Sequence, residues 1–170
     1  HINIGSNLSS INGTKFENIS IAIKMLISLK VKIKKISNFY ETPSYPNKNL
    51  PKFANIGVKF EYKYDYLKLF KEIKIIEKKI GRLKSKKNDP RVCDIDIVDF
   101  NGFVKKKGLI ILPHPRSHVR NFVLYPIQEI DPNWIHPILK KNVDFLIKEL
   151  SQISRIEITR LNKSVIIWIW

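Results

Sequence analysis

The chain has 170 residues, 44% hydrophobic and 11% aromatic, which is enough apolar side chain for one folded core and excludes wholesale disorder. Its one cysteine, Cys93, excludes an internal disulfide framework and fits a reducing compartment. Thirty-one basic residues against 15 acidic give a net charge of +16, which favours anionic partners without naming one. A single domain over residues 1–170 is expected. No apolar run approaches the ~20 residues of a membrane helix and no leader pattern is visible, so the expectation is a cytoplasmic chain without membrane contact.

In chain order, His1–Asn7 opens as a short apolar strand that turns at Gly5-Ser6-Asn7. Ile19, Ile23, Leu26 and Leu29 recur at helical spacing and predict a helix from about Phe16 to Leu29. Val31–Tyr40 reads as a strand with imperfect alternation. The proline-punctuated stretch Thr42–Pro51 reads as a loop. Ala54–Tyr62 alternates cleanly, with Ile56, Val58, Phe60 and Tyr62 on one face. Asp65 can cap a helix striped by Tyr66, Leu69, Phe70, Ile73, Ile76 and Ile80, with Gly81 ending it. A basic loop, Arg82–Pro90, leads into a strand running to Phe100. Asn101-Gly102 signals a hairpin with a return strand over Leu109–Leu112. Val143, Leu146, Ile147 and Leu150 mark a late helix, and Val165–Trp170 a final strand. The order β-α-β-β-α-β predicts an α+β fold: a ferredoxin-like βαββαβ sandwich with additional strands and helices.

The chemistry concentrates after Gly81. On a strand, Asp94 and Asp96 emerge side by side on one face while Ile95 and Ile97 point to the other. Two adjacent carboxylates repel unless cations sit between them. The preceding loop carries Arg82, Lys84, Lys86, Lys87 and Arg91, and Pro113-His114-Pro115-Arg116 and Arg120 follow. Hard carboxylate oxygens suit Mg²⁺ that is also held by substrate phosphates, and guanidinium forks suit the phosphates themselves. The chain has six glycines and no glycine-rich phosphate loop, so side chains must hold any phosphate. His114, His118 and His136 lack the companions of a zinc set. Cys93 reads as a buried strand thiol. A sandwich that binds single-stranded RNA on its sheet is the rival reading. Asp94 beside Asp96 counts against it, because their charge repels phosphate.

The set Gly5-Ser6-Asn7, Phe39-Tyr40-Glu41-Thr42-Pro43, Phe53-Ala54-Asn55, Glu77, Gly81-Arg82, Pro90-Arg91, Asp94-Ile95-Asp96-Ile97, Pro113-His114-Pro115-Arg116 and Arg120 resembles the 6-hydroxymethyl-7,8-dihydropterin pyrophosphokinases of folate biosynthesis. The resemblance runs from Gly5 to about Pro137 and implies a ferredoxin-like fold. It implies transfer of pyrophosphate from the co-substrate ATP to the pterin alcohol, with release of AMP. By the same resemblance Asp94 and Asp96 hold two Mg²⁺ ions, and Arg82 and Arg91 stabilise the transferred group. ATP is held by Lys74, Lys84, Ile97, His114 and Arg120. The pterin is held by Phe53, Phe122 and Asn55, with the backbone around Thr42, Pro43 and Tyr45. The implied partners are these small molecules alone, with no nucleic acid, and the expected state is a monomer. Lys74 stands where the family often has glutamine and Lys84 where arginine is common. Asn88 and Asp89 replace an aromatic and a glycine. No motif carries over beyond about Ile138.

Overall fold

The computed structural model describes residues 1–82 and 89–165. Its elements are β1 (Ile2–Ser6), α1 (Lys15–Ser28), β2 (Lys32–Ile36), β3 (Tyr40–Thr42), β4 (Phe53–Glu61), α2 (Tyr66–Ile80), β5 (Asp94–Ile97), a 3-10 turn (Ser117–Val119), α3 (Asn121–Ile130), α4 (Val143–Glu149), α5 (Gln152–Ile156) and β6 (Thr159–Arg160). The sheet is six-stranded and antiparallel throughout, in the order β5-β1-β4-β3-β6, with β2 also on β4. β1-α1-β2/β3-β4-α2-β5 is the βαββαβ order of a ferredoxin-like sandwich.

Local chemistry sets the two long helices. Thr14 and Glu17 form a reciprocal capping box at the start of α1, and Asp65 caps α2 by accepting from Lys68 N. α2 ends where Gly81 turns left-handed (φ 110°), a conformation that costs glycine little. Ile19, Ala22, Ile23 and Leu26 of α1 and Leu69, Ile73, Ile76 and Ile80 of α2 pack on one sheet face against Ile2, Ile4, Ala54, Ile56, Val58, Ile95 and Ile97.

The stretch expected as one strand, Val31–Tyr40, is broken. β2 pairs with β4 near Val58–Glu61, whereas β3 pairs with Phe53–Asn55. Between them Ser37 takes over Gly57: Ser37 N donates to Gly57 O (3.0 Å) and Gly57 N donates to Ser37 Oγ (2.9 Å). Phe39 then turns into the core, 1% exposed. That turn is the physical reason for the imperfect alternation.

The other sheet face carries α3, which the sequence pattern does not reveal. Val123, Leu124, Ile127 and Ile130 sit at helical spacing, but Arg120 provides no side-chain cap and Pro126 lies inside the helix. α3 packs with Val98, Trp134, Val143, Leu146, Ile147 and Leu150 in a second core. The expected late helix is α4, capped by Asn142. The expected hairpin after Asn101-Gly102 does not form. β5 ends at Ile97, and residues 109–112 contribute one isolated bridge, Lys105 with Leu112, instead of a return strand. Asp99 is drawn into the second core instead, accepting from Trp134 Nε1 (2.8 Å) and Gly102 N (2.8 Å). The final strand expected over Val165–Trp170 lies, from residue 166 on, outside the described residues. Among the described residues no helix is long and apolar enough to cross a membrane.

α3 approaches β4 closely at Gly57, where an added Cβ would lie 2.8 Å from Pro126 Cβ and 3.1 Å from its carbonyl carbon. Gly57→Ala is therefore expected to lower unfolding free energy by about 1–3 kcal/mol through overpacking. Urea denaturation reads this directly, and an unchanged midpoint would contradict the close approach.

Candidate active site

Strand register assembles the site before any side chain acts. β1 lies between β4 and β5, and Gly5 is opposite Asn55 on one side and Asp94 on the other. Asn55 in turn faces Tyr40, and Tyr40 faces Arg160. Residues in register share a sheet face, so Asp94, Gly5, Asn55, Tyr40 and Arg160 form one row under the α3 side. The next row on that face is Asp96, Asn3 and Gly57. Gly5 leaves the middle of the first row bare: a Cβ there would lie 2.8 Å from Asn55 Oδ1 and 3.8 Å from Phe53.

At one end of the row, charge is tightly compensated. Asp94 accepts from Arg82 Nη1 (2.6 Å) and from Arg91 Nη1. Arg82 Nη1 also reaches Glu77, which pairs with Lys74 Nζ (2.8 Å) and accepts from Ile95 N (2.8 Å). Asp96 is held more loosely, 3.4 Å from Arg120 Nη1 and 3.7 Å from His114 Nε2. Burial alone would raise the pKa of Asp94, but the guanidiniums of Arg82 and Arg91 outweigh it and hold the carboxyl below its usual range. Burial wins at Glu77, whose pKa is raised despite Lys74 and Arg82. Burial also lowers His114, against the pull of Asp96. His114 Nδ1 accepts from Arg116 N (3.2 Å), and its Nε2 lies 3.7 Å from Asp96 and 3.4 Å from Arg120 Nη1. Cys93 is fully buried and its thiol pKa is pushed up, which fits the expected structural thiol and no nucleophile.

At the other end, Asn55 and Thr42 are both buried, and Asn55 Nδ2 donates to Thr42 Oγ1 (3.3 Å). Phe53, half-buried, pairs with Thr42 in register. Phe122, also half-buried, starts α3 with the Arg120 guanidinium 5.4 Å over its ring. Pro43 is half-buried, while the Tyr45 side chain is 78% exposed and leaves only its backbone for the site. Lys84 and Asn88 lie outside the described residues.

A cleft of about 260 Å³ opens beside Asp96, lined by Phe70, Lys74, Ile97, Ile110 and His114 among others. Ile97 belongs to the core beneath and shows the cleft only an edge, 4% exposed. A larger hollow of about 530 Å³ lies between the 3-10 turn, α4 and α5. It contains none of the expected site residues, whereas Lys74, Asp96, Ile97 and His114 line the smaller cleft.

Three residues carry more than the sequence pattern alone assigns them. Glu77, matched there without a role, is the buried anchor for Arg82 and β5. Asn7 accepts from Arg91 N (2.6 Å) and donates to Ser44 Oγ (3.2 Å) and Pro51 O (3.1 Å), tying the 42–51 loop to the arginine segment. Phe70, expected only as part of a helix stripe, lines the cleft. A charged residue within an otherwise apolar helical face is the available signal for Glu77. Asn7 gives no such signal, because its partners are distant in sequence.

Comparison with known proteins identifies the family. A family model described as 7,8-dihydro-6-hydroxymethylpterin-pyrophosphokinase matches residues 1–132. The chain belongs to this family. It is 34% identical over 143 residues to the 2-amino-4-hydroxy-6-hydroxymethyldihydropteridine pyrophosphokinase of Aquifex aeolicus, covering 83% of this chain and 85% of that one. It is 37% identical over 139 residues to a folic acid synthesis protein of Dictyostelium discoideum, covering 82% of this chain but only 20% of that protein. A fission yeast (Schizosaccharomyces pombe) folic acid synthesis protein is 32% identical over 138 residues, covering 81% of this chain and 18% of that protein. Members of this pyrophosphokinase family transfer pyrophosphate from ATP to the pterin in folate synthesis.

Glu77 is the part of this site most open to a stability test. Glu77→Ala leaves Lys74, Arg82 and the Ile95 amide without their buried acceptor, so a loss of about 3–5 kcal/mol is expected. Glu77→Gln, which keeps an acceptor for Ile95, should lose clearly less. Stability within about 1 kcal/mol of wild type for Glu77→Ala in chemical denaturation would show that Glu77 is not the anchor.

Proposed function

We propose that residues 1–170 act as one domain that transfers pyrophosphate from ATP to 6-hydroxymethyl-7,8-dihydropterin, with Asp94 and Asp96 holding two Mg²⁺ ions against the ATP phosphates. The observation that carries this reading is the single sheet row from Asp94 through side-chain-free Gly5 to Asn55. It sets a phosphate-facing charge cluster directly beside a buried amide suited to a flat, hydrogen-bonding ring.

The donor set fits Mg²⁺. Asp94 and Asp96 offer hard oxygens, and among the described residues no group of three or more His, Cys, Asp or Glu forms a closed metal cage. Two carboxylates with the remaining ligands from phosphate and water is the usual Mg²⁺ arrangement. When bound, the ions supply charge neutralisation on the phosphates and hold them in line.

The side chains do the remaining work. Arg82 and Arg91 are paired with Asp94. Binding of Mg-ATP is then an exchange of partners, in which the carboxylates turn to the cations and the guanidiniums to phosphate oxygens. Arg82 and Arg91 stabilise charge on the β-phosphoryl group as it transfers. His114 and Arg120 hold the outer phosphates, with Lys84 assigned there by the resemblance. The cleft beside Lys74 and Ile97 takes the adenine. Phe53 and Phe122 flank the pterin, while Asn55 reads its polar edge with the backbone around Thr42, Pro43 and Tyr45. The hydroxymethyl oxygen attacks the β-phosphorus in line and AMP leaves, so positioning supplies most of the catalysis.

A monomer acting on small molecules completes this reading. The sheet face that an RNA-binding sandwich would offer carries Asp94 and Asp96 and lies under α3, which counts against nucleic acid. A buried lone thiol and an ATP co-substrate fit the cytoplasm.

Asp96→Ala is expected to lower Mg²⁺-dependent AMP formation by roughly 10³-fold or more while leaving the thermal unfolding midpoint within a few degrees. Activity retained within tenfold would overturn the metal assignment.

A further inference from the structure

Pro126 lies inside α3 and has no N–H to give to the carbonyl of Phe122, four residues earlier. That carbonyl belongs to the residue proposed to cover one face of the pterin. The partner it finds is on the sheet. Asn3 is 5% exposed on β1, and its amide nitrogen donates to Phe122 O at 2.8 Å and to Ile56 O at 3.2 Å; the reverse amide orientation would set oxygen against two acceptors. Asn3 lies in register between Asp96 and Gly57. One side chain thus connects β1, the neighbouring strand β4 and the first turn of α3.

We propose that Asn3 is a positioning residue for the pterin, fixing Phe122 over the sheet through the carbonyl that Pro126 leaves open. The proposal rests on the reading of Phe122 as a pterin contact. Phe122 is only half-buried and heads its helix without a side-chain cap from Arg120. Backbone restraint at this point therefore controls where the ring stands. Intrahelical bonding cannot supply it, because the donor is missing. Asn121 Oδ1 restrains the Phe122 amide instead (2.6 Å) and Asn121 Nδ2 grips Ser154 O (2.6 Å), so Asn3 completes the hold on this residue from the sheet side. Its neighbours in the row, Asp96 and Gly57, offer no competing donor to the Phe122 carbonyl.

The test compares Asn3→Ala, Pro126→Ala, the double variant and Phe122→Ala in the full chain, by pterin fluorescence titration and steady-state kinetics. Asn3→Ala should raise the pterin Kd and KM about five- to tenfold, with kcat at saturating pterin and the ATP KM within about twofold. In the double variant the backbone N–H restored by Pro126→Ala can bond the Phe122 carbonyl within the helix, so pterin affinity should return to within about twofold of wild type. If Asn3→Ala proves too unstable, Asn3→Ser against Asn3→Ser/Pro126→Ala reads the same rescue. Wild-type affinity in Asn3→Ala, an equal loss for ATP, or no rescue by Pro126→Ala would overturn the proposal. Unchanged pterin binding in Phe122→Ala would instead overturn the assignment of Phe122 itself.

Discussion

The register of one short strand governs this molecule. β1 is buried along its whole length and pairs antiparallel with both β4 and β5. A slip of one residue would turn Asn3 and Gly5 into the core and send Ile2 and Ile4 to the site face. Correct register instead gives α1 and α2 an isoleucine floor, and it lines up Asp94, Gly5 and Asn55 on the opposite face. Site geometry and core packing are thus fixed by the same hydrogen-bond ladder.

Electrostatics supplies the second layer. Desolvation makes a lone carboxylate at Asp94 or Glu77 costly, so each is matched by cations from loops and from α2. The resulting cluster is nearly neutral. Asp94 holds its two arginines firmly and Asp96 is gripped loosely.

Much of this is legible in the chain. Period-two alternation in Ala54–Tyr62 and the capped stripe from Asp65 to Gly81 describe β4 and α2 closely, because local patterning and tertiary packing agree there. The side-by-side aspartates and the surrounding cations point to the site directly. α3 is hidden because Pro126 argues locally against a helix, and only the distant Asn3 satisfies the carbonyl it leaves open. The break in β2–β3 depends on Ser37 meeting Gly57, and the roles of Asn7 and Glu129 depend on partners far away in sequence. Glu129 accepts from Asn38, Tyr40 and Arg160, joining α3 to the β3–β6 edge. Residues after 150 carry no motif, yet β6 completes that edge. Such long-range polar contacts leave no periodic trace.

The central claim is that the bare position at Gly5 lets the proposed pterin amide site and the proposed Mg²⁺-holding carboxylate Asp94 share one row. Calorimetric titration of Gly5→Ala with the pterin and, separately, with Mg²⁺ and a non-hydrolysable ATP analogue tests it most directly. The added Cβ would displace Asn55, so the account predicts pterin affinity lower by about tenfold or more with nucleotide affinity within about twofold, the difference of one lost amide contact. Unchanged pterin affinity in a folded Gly5→Ala protein would contradict it.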